Sequence, residues 1–189
     1  MTNIDAAVSY IRSLFRTDAG GHDIGHALRV WRTAMRIADT EPSCDREIVA
    51  LAALLHDADD RKLFHTENNA NARAFLQEIG MPEDRIGRIC QVIDGVSFSR
   101  NGLRPPETPE GRIVQDADRL DAMGAVGIAR TFAYGGQHAR PMEESLRHFY
   151  DKLLRLRDGM NTAAGKRMAG ARHARLERFL ADWREETEG

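Results

Sequence analysis

Apolar residues recur along most of this chain with the period of an α-helix. In residues 3–16 they form one stripe, made of Ile4, Val8, Ile11 and Phe15. Such a stripe is typical of a helix that packs one face on a core. The same period predicts further helices over residues 22–40, 45–56, 68–79, 82–96, 110–132 and 143–183. No convincing pair of strands is found, so the pattern predicts an all-α protein.

Polar segments rich in glycine and proline separate the predicted helices. The clearest loop spans residues 97–109, which contain a glycine and three prolines. A second loop is predicted to begin at residues 134–136, Tyr-Gly-Gly. A hinge near residues 158–159 is predicted to divide the tail into two helices.

One predicted helix is apolar on nearly every face. It covers residues 48–55, and a helix that is apolar all round belongs at the centre of a bundle. His56 and Asp57 follow directly, at the inner end of this helix. We expect a single helical-bundle domain over residues 1–189. Its core would span about 20–135, with C-terminal helices at about 143–185 packed on that core.

Composition narrows the classes of function. The formal net charge of −2 over 189 residues offers no general attraction for nucleic acid polymers or anionic membranes. The two cysteines, Cys44 and Cys90, make neither a disulfide framework nor a cysteine-based zinc site. No long uncharged apolar run and no signal peptide is found. We therefore expect a cytoplasmic protein, and the exposed faces of the tail helices could support a homodimer.

Three groups of potential metal ligands stand out. His22 and His26 are four residues apart and would share a helix face, and His56 is followed directly by Asp57. A third group contains Asp116, Asp118 and Asp121, with Asp118 and Asp121 on one helix face and Asp116 on another. Each group alone has an ordinary interpretation: a capped helix start, a solvated helix end, or carboxylates paired with Arg112 and Arg119. Three independent coincidences are harder to accept, so together the groups predict one metal site.

Residues just after His56 add possible proton-transfer and phosphate-binding groups. Asp60 lies three residues beyond Asp57, on the same helix face. A carboxylate beside a metal that is not needed as its ligand can act as general acid or base on water. Lys62 or Arg61 could hold a phosphate oxygen.

The ordered pattern of these groups resembles the HD-domain metal-dependent phosphohydrolase superfamily. The resemblance rests on His26 in His-Ala-Leu-Arg-Val, then His56-Asp57, then Asp118 in Ala-Asp-Arg-Leu. It is nearest to a small single-domain subgroup with a segment similar to residues 115–125, Gln-Asp-Ala-Asp-Arg-Leu-Asp-Ala-Met-Gly-Ala. The resemblance implies an all-α fold and one divalent metal ion.

The resemblance also implies roles for individual residues. The metal ligands would be His26, His56, Asp57 and Asp118, a set that suits Mn²⁺, Mg²⁺, Fe²⁺, Co²⁺, Ni²⁺ or Zn²⁺. Asp116 is the rival of Asp118, whose sequence context matches better. Asp60 and Lys62 would be catalytic. The candidates for contact with substrate are His22, Arg130, Ser97, Ser99 and Arg100.

The function that this resemblance implies is attack of water on a phosphate ester or anhydride, with nucleotides as the expected substrates. Release of pyrophosphate from a nucleoside triphosphate and removal of phosphate from a nucleotide both fit. One alternative is a non-catalytic module that binds a nucleotide or signalling phosphate. A di-iron oxygenase on the same scaffold is disfavoured because no histidine lies between His65 and His138. We interpret His138, His148 and His173 as surface or structural residues.

Overall fold

The structure is a computed structural model that describes residues 2–15, 24–60 and 63–188, with the side chains of Ser99 and Arg100 left out. All regular elements in these ranges are helical, which confirms the prediction of an all-α fold. A 3-10 segment covers Leu153–Gly159. The helices are α1 (Asn3–Leu14), α2 (Ile24–Ala38), α3 (Arg46–Leu55), α4 (Ala70–Glu78), α5 (Glu83–Val96), α6 (Phe98–Asn101), α7 (Pro109–Asp121), α8 (Gly124–Gln137), α9 (Met142–Asp151) and α10 (Ala163–Glu188).

Helix α3 forms the centre of the bundle, as its apolar sequence predicts. Every residue from Ile48 to Leu55 is buried, and α3 packs against α1, α2, α5 and α7. Asp45 caps the start of the helix: its carboxylate accepts hydrogen bonds from the backbone N–H groups of Glu47 (3.1 Å) and Ile48 (3.2 Å). Because α3 is capped at its start and buried along its length, its C-terminal end has a defined position in the bundle.

The C-terminal helices attach to α7 through a buried carboxylate. Asp116 is fully buried and accepts hydrogen bonds from the backbone and side chain of both Asn161 and Thr162, each at 2.8 Å. These residues immediately precede α10. A Cβ atom on Gly165 would lie 2.2 Å from the Asp116 carboxylate, so the first turn of α10 requires glycine there.

One predicted loop is wrong. Helix α8 continues to Gln137, through the Tyr-Gly-Gly sequence at residues 134–136 where a loop was predicted to begin. Gly135 is buried, and a Cβ atom there would lie 2.6 Å from Ser145 Oγ. This glycine therefore permits close approach of α8 and α9 rather than a turn. Among the described residues, no helix combines the length and apolar character needed to span a bilayer.

Candidate metal centre and its cavity

The His-Asp pair lies where α3 ends. His56 is the C-terminal cap of α3 and keeps a right-handed helical conformation. Two tight turns follow, in which Ala58 N–H donates to Leu55 O (2.9 Å) and Asp60 N–H donates to Asp57 O (3.1 Å). Adjacent residues inside a helix point about 100° apart. Leaving the helix at this point lets both side chains reach the same space.

Helices α2 and α7 bring the other two predicted ligands to this point. His26 Nε2 lies 3.1 Å from His56 Nε2, 3.4 Å from Asp57 Oδ2 and 3.4 Å from Asp118 Oδ1. His56 Nε2 lies 3.4 Å from Asp57 Oδ1 and 3.7 Å from Asp118 Oδ1. The structure therefore brings together all four residues to which the resemblance assigns metal binding.

The donor atoms fit a divalent cation. Neighbouring ligands at right angles around an ion with bonds of roughly 2.1 Å are about 3.0 Å apart, close to the shortest separation observed. His56 Nδ1 lies 2.9 Å from Ala53 O, so the ring is held from behind and presents Nε2 to the cluster. Two imidazole nitrogens with carboxylate oxygens suit first-row divalent metals.

Hydrogen bonds within the cluster shift the pKa values of His26 and Asp118 in opposite directions. Burial alone would lower the pKa of His26, but hydrogen bonds to Asp118, Asp121 and Asp57 outweigh it and raise that pKa well above 6.5. Burial alone would raise the pKa of Asp118, but hydrogen bonding to His26 and the charges of both histidines lower it. A metal ion would therefore compete with a proton for His26.

Asp121 is a component of the site to which the sequence assigned no role. It is 3% exposed, and its Oδ2 lies 2.7 Å from His26 Nδ1. Arg29 donates to both carboxylate oxygens, at 2.7 and 3.1 Å, and Arg130 donates to Oδ2 at 2.7 Å. Hydrogen bonds to His26 and Arg29 overcome the effect of burial and hold the pKa of Asp121 well below its ordinary value. The feature of the sequence that could have identified Asp121 is its position three residues after Asp118.

Asp116, the rival ligand, faces away from the centre and holds the start of α10 instead. Surface pairing with arginine, the ordinary interpretation of these aspartates, is also not found at Arg119. That side chain is 2% exposed and donates to the carbonyl oxygens of Gly102 (2.7 Å) and Gly159. Of the two aspartates, only Asp118 reaches the metal ligands.

The centre opens into a cavity of about 450 Å³. Asp60, Ser97 and Arg130 line this cavity, as do the four predicted metal ligands. The sequence also predicts roles for His22, Lys62, Ser99 and Arg100. The first two residues, and the side chains of the other two, lie outside the described part of the chain.

The cavity wall carries basic groups that sequence reasoning missed. Arg140, His148 and Lys152 line it from α9 and its two ends. His148, which we interpreted from the sequence as a surface or structural residue, is thus half-buried at the cavity. Burial lowers the pKa of His148, and the charges of Lys152 and Arg140 lower it further. Arg140 and Lys152 lie over the rings of Tyr134 and Phe98, at 5.1 and 5.0 Å from the ring centroids.

Comparison with known proteins identifies relatives along nearly the whole chain. The family model described as "HD domain" matches residues 23–123. The uncharacterized protein YpgQ of Bacillus subtilis is 36% identical over 180 residues, covering 91% of this chain and 87% of that protein. Its crystal structure in complex with ADP aligns with a TM-score of 0.82 at 33% identity, covering 96% of this chain and 98% of that chain. An HD-superfamily hydrolase from Bacillus thuringiensis aligns with a TM-score of 0.79 at 37% identity, covering 98% and 97%.

Proposed function

The chain belongs to the HD-domain family and has the fold of HD-superfamily hydrolases, and we propose that it is a metal-dependent phosphohydrolase acting on nucleotides. Water would attack a phosphate ester or anhydride bond, as in release of pyrophosphate from a nucleoside triphosphate or of phosphate from a nucleotide. The observation that carries the proposal is the convergence of four potential metal ligands at a cavity that also carries basic side chains.

The proposed metal ligands are His26, His56, Asp57 and Asp118. A divalent ion held by them would polarise a phosphate oxygen and make a nearby water molecule more acidic. Asp60, which lines the cavity, would exchange a proton with that water or with the leaving group.

Basic side chains around the cavity would bind the phosphate groups. Arg130 is next to the metal ligands, since its NH1 atom lies 3.1 Å from His26 Nδ1. Arg140 and Lys152 would contact phosphate oxygens farther along the wall. Lys62, His22, Ser97, Ser99 and Arg100 keep the catalytic and substrate-binding roles that the resemblance implies.

Three observations favour a nucleotide as the phosphate compound. YpgQ of Bacillus subtilis, a relative over nearly the whole chain, was crystallised with ADP. The cavity volume of about 450 Å³ falls in the range usual for small-molecule sites, roughly 300–1,000 Å³. Its wall also offers apolar and aromatic surface for a base, from Phe98, Ile93, Val96, Leu153 and Leu156.

The proposal is tested by screening nucleotides and small phosphate esters with Mn²⁺, Mg²⁺, Co²⁺ and Ni²⁺. We expect metal-dependent release of phosphate or pyrophosphate by the wild type. Replacing His56 by alanine should reduce that release by at least about 100-fold, because it removes a metal ligand. The matched control is His65→Ala, since His65 is exposed and does not line the cavity.

Other outcomes would favour the alternative functions. If the wild type binds nucleotide with metal but releases nothing, a binding module replaces the enzyme. If His65→Ala removes activity as completely as His56→Ala, the proposed set of four metal ligands lacks a residue that the site needs.

A further inference from the structure

We propose that Asp121 is a positioning residue that holds the His26 ring with Nε2 directed at the metal centre. Arg29 and Arg130 in turn hold the Asp121 carboxylate. The inference rests on the metal centre of the proposed function, because His26 is one of its ligands. It assigns roles to two residues, Asp121 and Arg29, that neither coordinate the metal nor bind substrate in that proposal.

The contact between Asp121 and His26 determines which ring nitrogen carries the proton. An ionised carboxylate can only accept hydrogen bonds, so at 2.7 Å from Asp121 Oδ2 the His26 Nδ1 atom must be the donor. When a cation displaces the proton at Nε2, that atom presents its lone pair to the cation. Arg130 NH1 also lies 2.7 Å from Oδ2, so its 3.1 Å approach to Nδ1 is the spacing of two donors that share one acceptor.

The carboxylate itself is held from two further helices. Arg29 on α2 donates through Nε to Oδ1 and through its NH2 group to Oδ2. Arg130 on α8 donates to Oδ2, and Asp121 lies at the end of α7. A bidentate arginine fixes the plane of a carboxylate as well as its position. Because the group is 3% exposed, water competes little for these bonds.

The two histidines of the centre are therefore held by different means. The support of His56 is a backbone carbonyl, Ala53 O, on its own helix. No substitution of a side chain removes that support. The support of His26 is a side chain from another helix, so the orientation of His26 can be altered separately by mutation.

Substitution of Arg29 tests the positioning of His26 separately from the binding of substrate. Arg130 lines the cavity, whereas Arg29 does not, although both donate to Asp121. We therefore expect replacement of Arg29 to alter metal affinity through the carboxylate of Asp121 rather than through the lining of the cavity. Replacing Arg29 leaves the lining of the cavity unchanged, whereas replacing Asp121 removes the direct partner of His26.

The test compares Asp121→Asn and Arg29→Met with the wild type. In the metal-free and Zn²⁺-loaded proteins, ¹⁵N-edited NMR should show a downfield Nδ1 proton of His26 that is lost in Asp121→Asn. Calorimetric titration with Mn²⁺ should show binding weakened by about 10- to 100-fold in Asp121→Asn, and by a smaller factor in Arg29→Met. The matched control is Asp39→Asn, which alters an exposed ion pair with Arg46 and should change neither measurement.

The two readouts distinguish the possible failures. If Asp121→Asn keeps the Nδ1 proton signal and its Mn²⁺ affinity within twofold of the wild type, the positioning role is overturned. If the wild type binds no metal, the metal centre itself fails, and the NMR signal still decides whether Asp121 orients His26. Should Asp121→Asn not fold, Arg29→Met decides alone, and unchanged affinity and ring signals in that variant overturn the inference.

Discussion

Asp116 and Asp118 are separated by one residue and serve different purposes. Two positions along a helix correspond to a rotation of about 200°, so their side chains leave α7 on opposite sides. Asp118 faces the two histidines, at 3.4 and 3.7 Å from their Nε2 atoms. Asp116 faces Asn161 and Thr162, which present four donors to it. The roles of the two carboxylates should therefore separate in measurements of stability and metal binding.

We expect Asp116→Ala to destabilise the fold by about 3 kcal/mol, because it leaves buried donors without an acceptor. Its Mn²⁺ affinity should stay close to that of the wild type. Asp118→Ala should lose most Mn²⁺ affinity with a much smaller cost in stability. Urea unfolding and calorimetric titration of both variants measure the two effects. Loss of metal binding in Asp116→Ala, with its fold intact, would contradict this assignment.

The pKa of His148 depends on the basic residues that line the cavity. Burial, Lys152 and Arg140 all depress its pKa, so the folded state favours the neutral ring. The unfolded chain then takes up a proton at higher pH, and this residue makes stability fall as pH drops through about 6.5. Lys152→Met should raise the pKa of His148 in an NMR titration. Lys166→Met, an exposed lysine on α10, should leave that pKa unchanged.

At the scale of the element, the position of α3 depends on the residue that caps its start, Asp45. Asp45 accepts two backbone hydrogen bonds and also contacts Arg85 of α5, at 3.0 and 3.3 Å. Burial alone would raise the pKa of Asp45, but the bonds from Arg85 and from the backbone of Ile48 outweigh it and lower that pKa. The start of the central helix is thus tied to a neighbouring helix by one carboxylate.

Asp45→Asn should reduce the free energy of unfolding at pH 7 by about 1–2 kcal/mol, since it weakens the cap and removes the ion pair. A depressed carboxyl pKa contributes stability that is present above about pH 4 and is lost as pH falls through the folded pKa. The difference from the wild type should therefore shrink at pH 3. Denaturant unfolding at both pH values measures it. Asp158→Asn, at an exposed side chain, should show no such difference.

At the scale of the molecule, the candidate centre joins separate parts of the bundle. His26 comes from α2, His56 and Asp57 from the end of α3, and Asp118 from α7. A ligand that binds only this assembled arrangement stabilises the folded state, because the unfolded chain does not hold the four groups together.

Mn²⁺ at 100 times its dissociation constant should stabilise the protein by about 2.7 kcal/mol, and raise its melting temperature by roughly 5–10 °C. Chelation should reverse this shift, and His56→Ala should show almost none. Metal analysis of the loaded protein should give close to one ion per chain. A value close to two would instead indicate a dinuclear site.

The amino-acid sequence by itself determined most of the helical segments, which helix is central and which side chains could bind a metal. Those properties follow from local spacing, because helical period sets the face on which a side chain lies. Only the tertiary structure decided what each face meets. It placed Asp118 beside the histidines and Asp116 beneath α10, and it turned Asp121 into a partner of His26. It also brought His148 to the cavity, since packing between elements far apart in the chain leaves no local signature in either one.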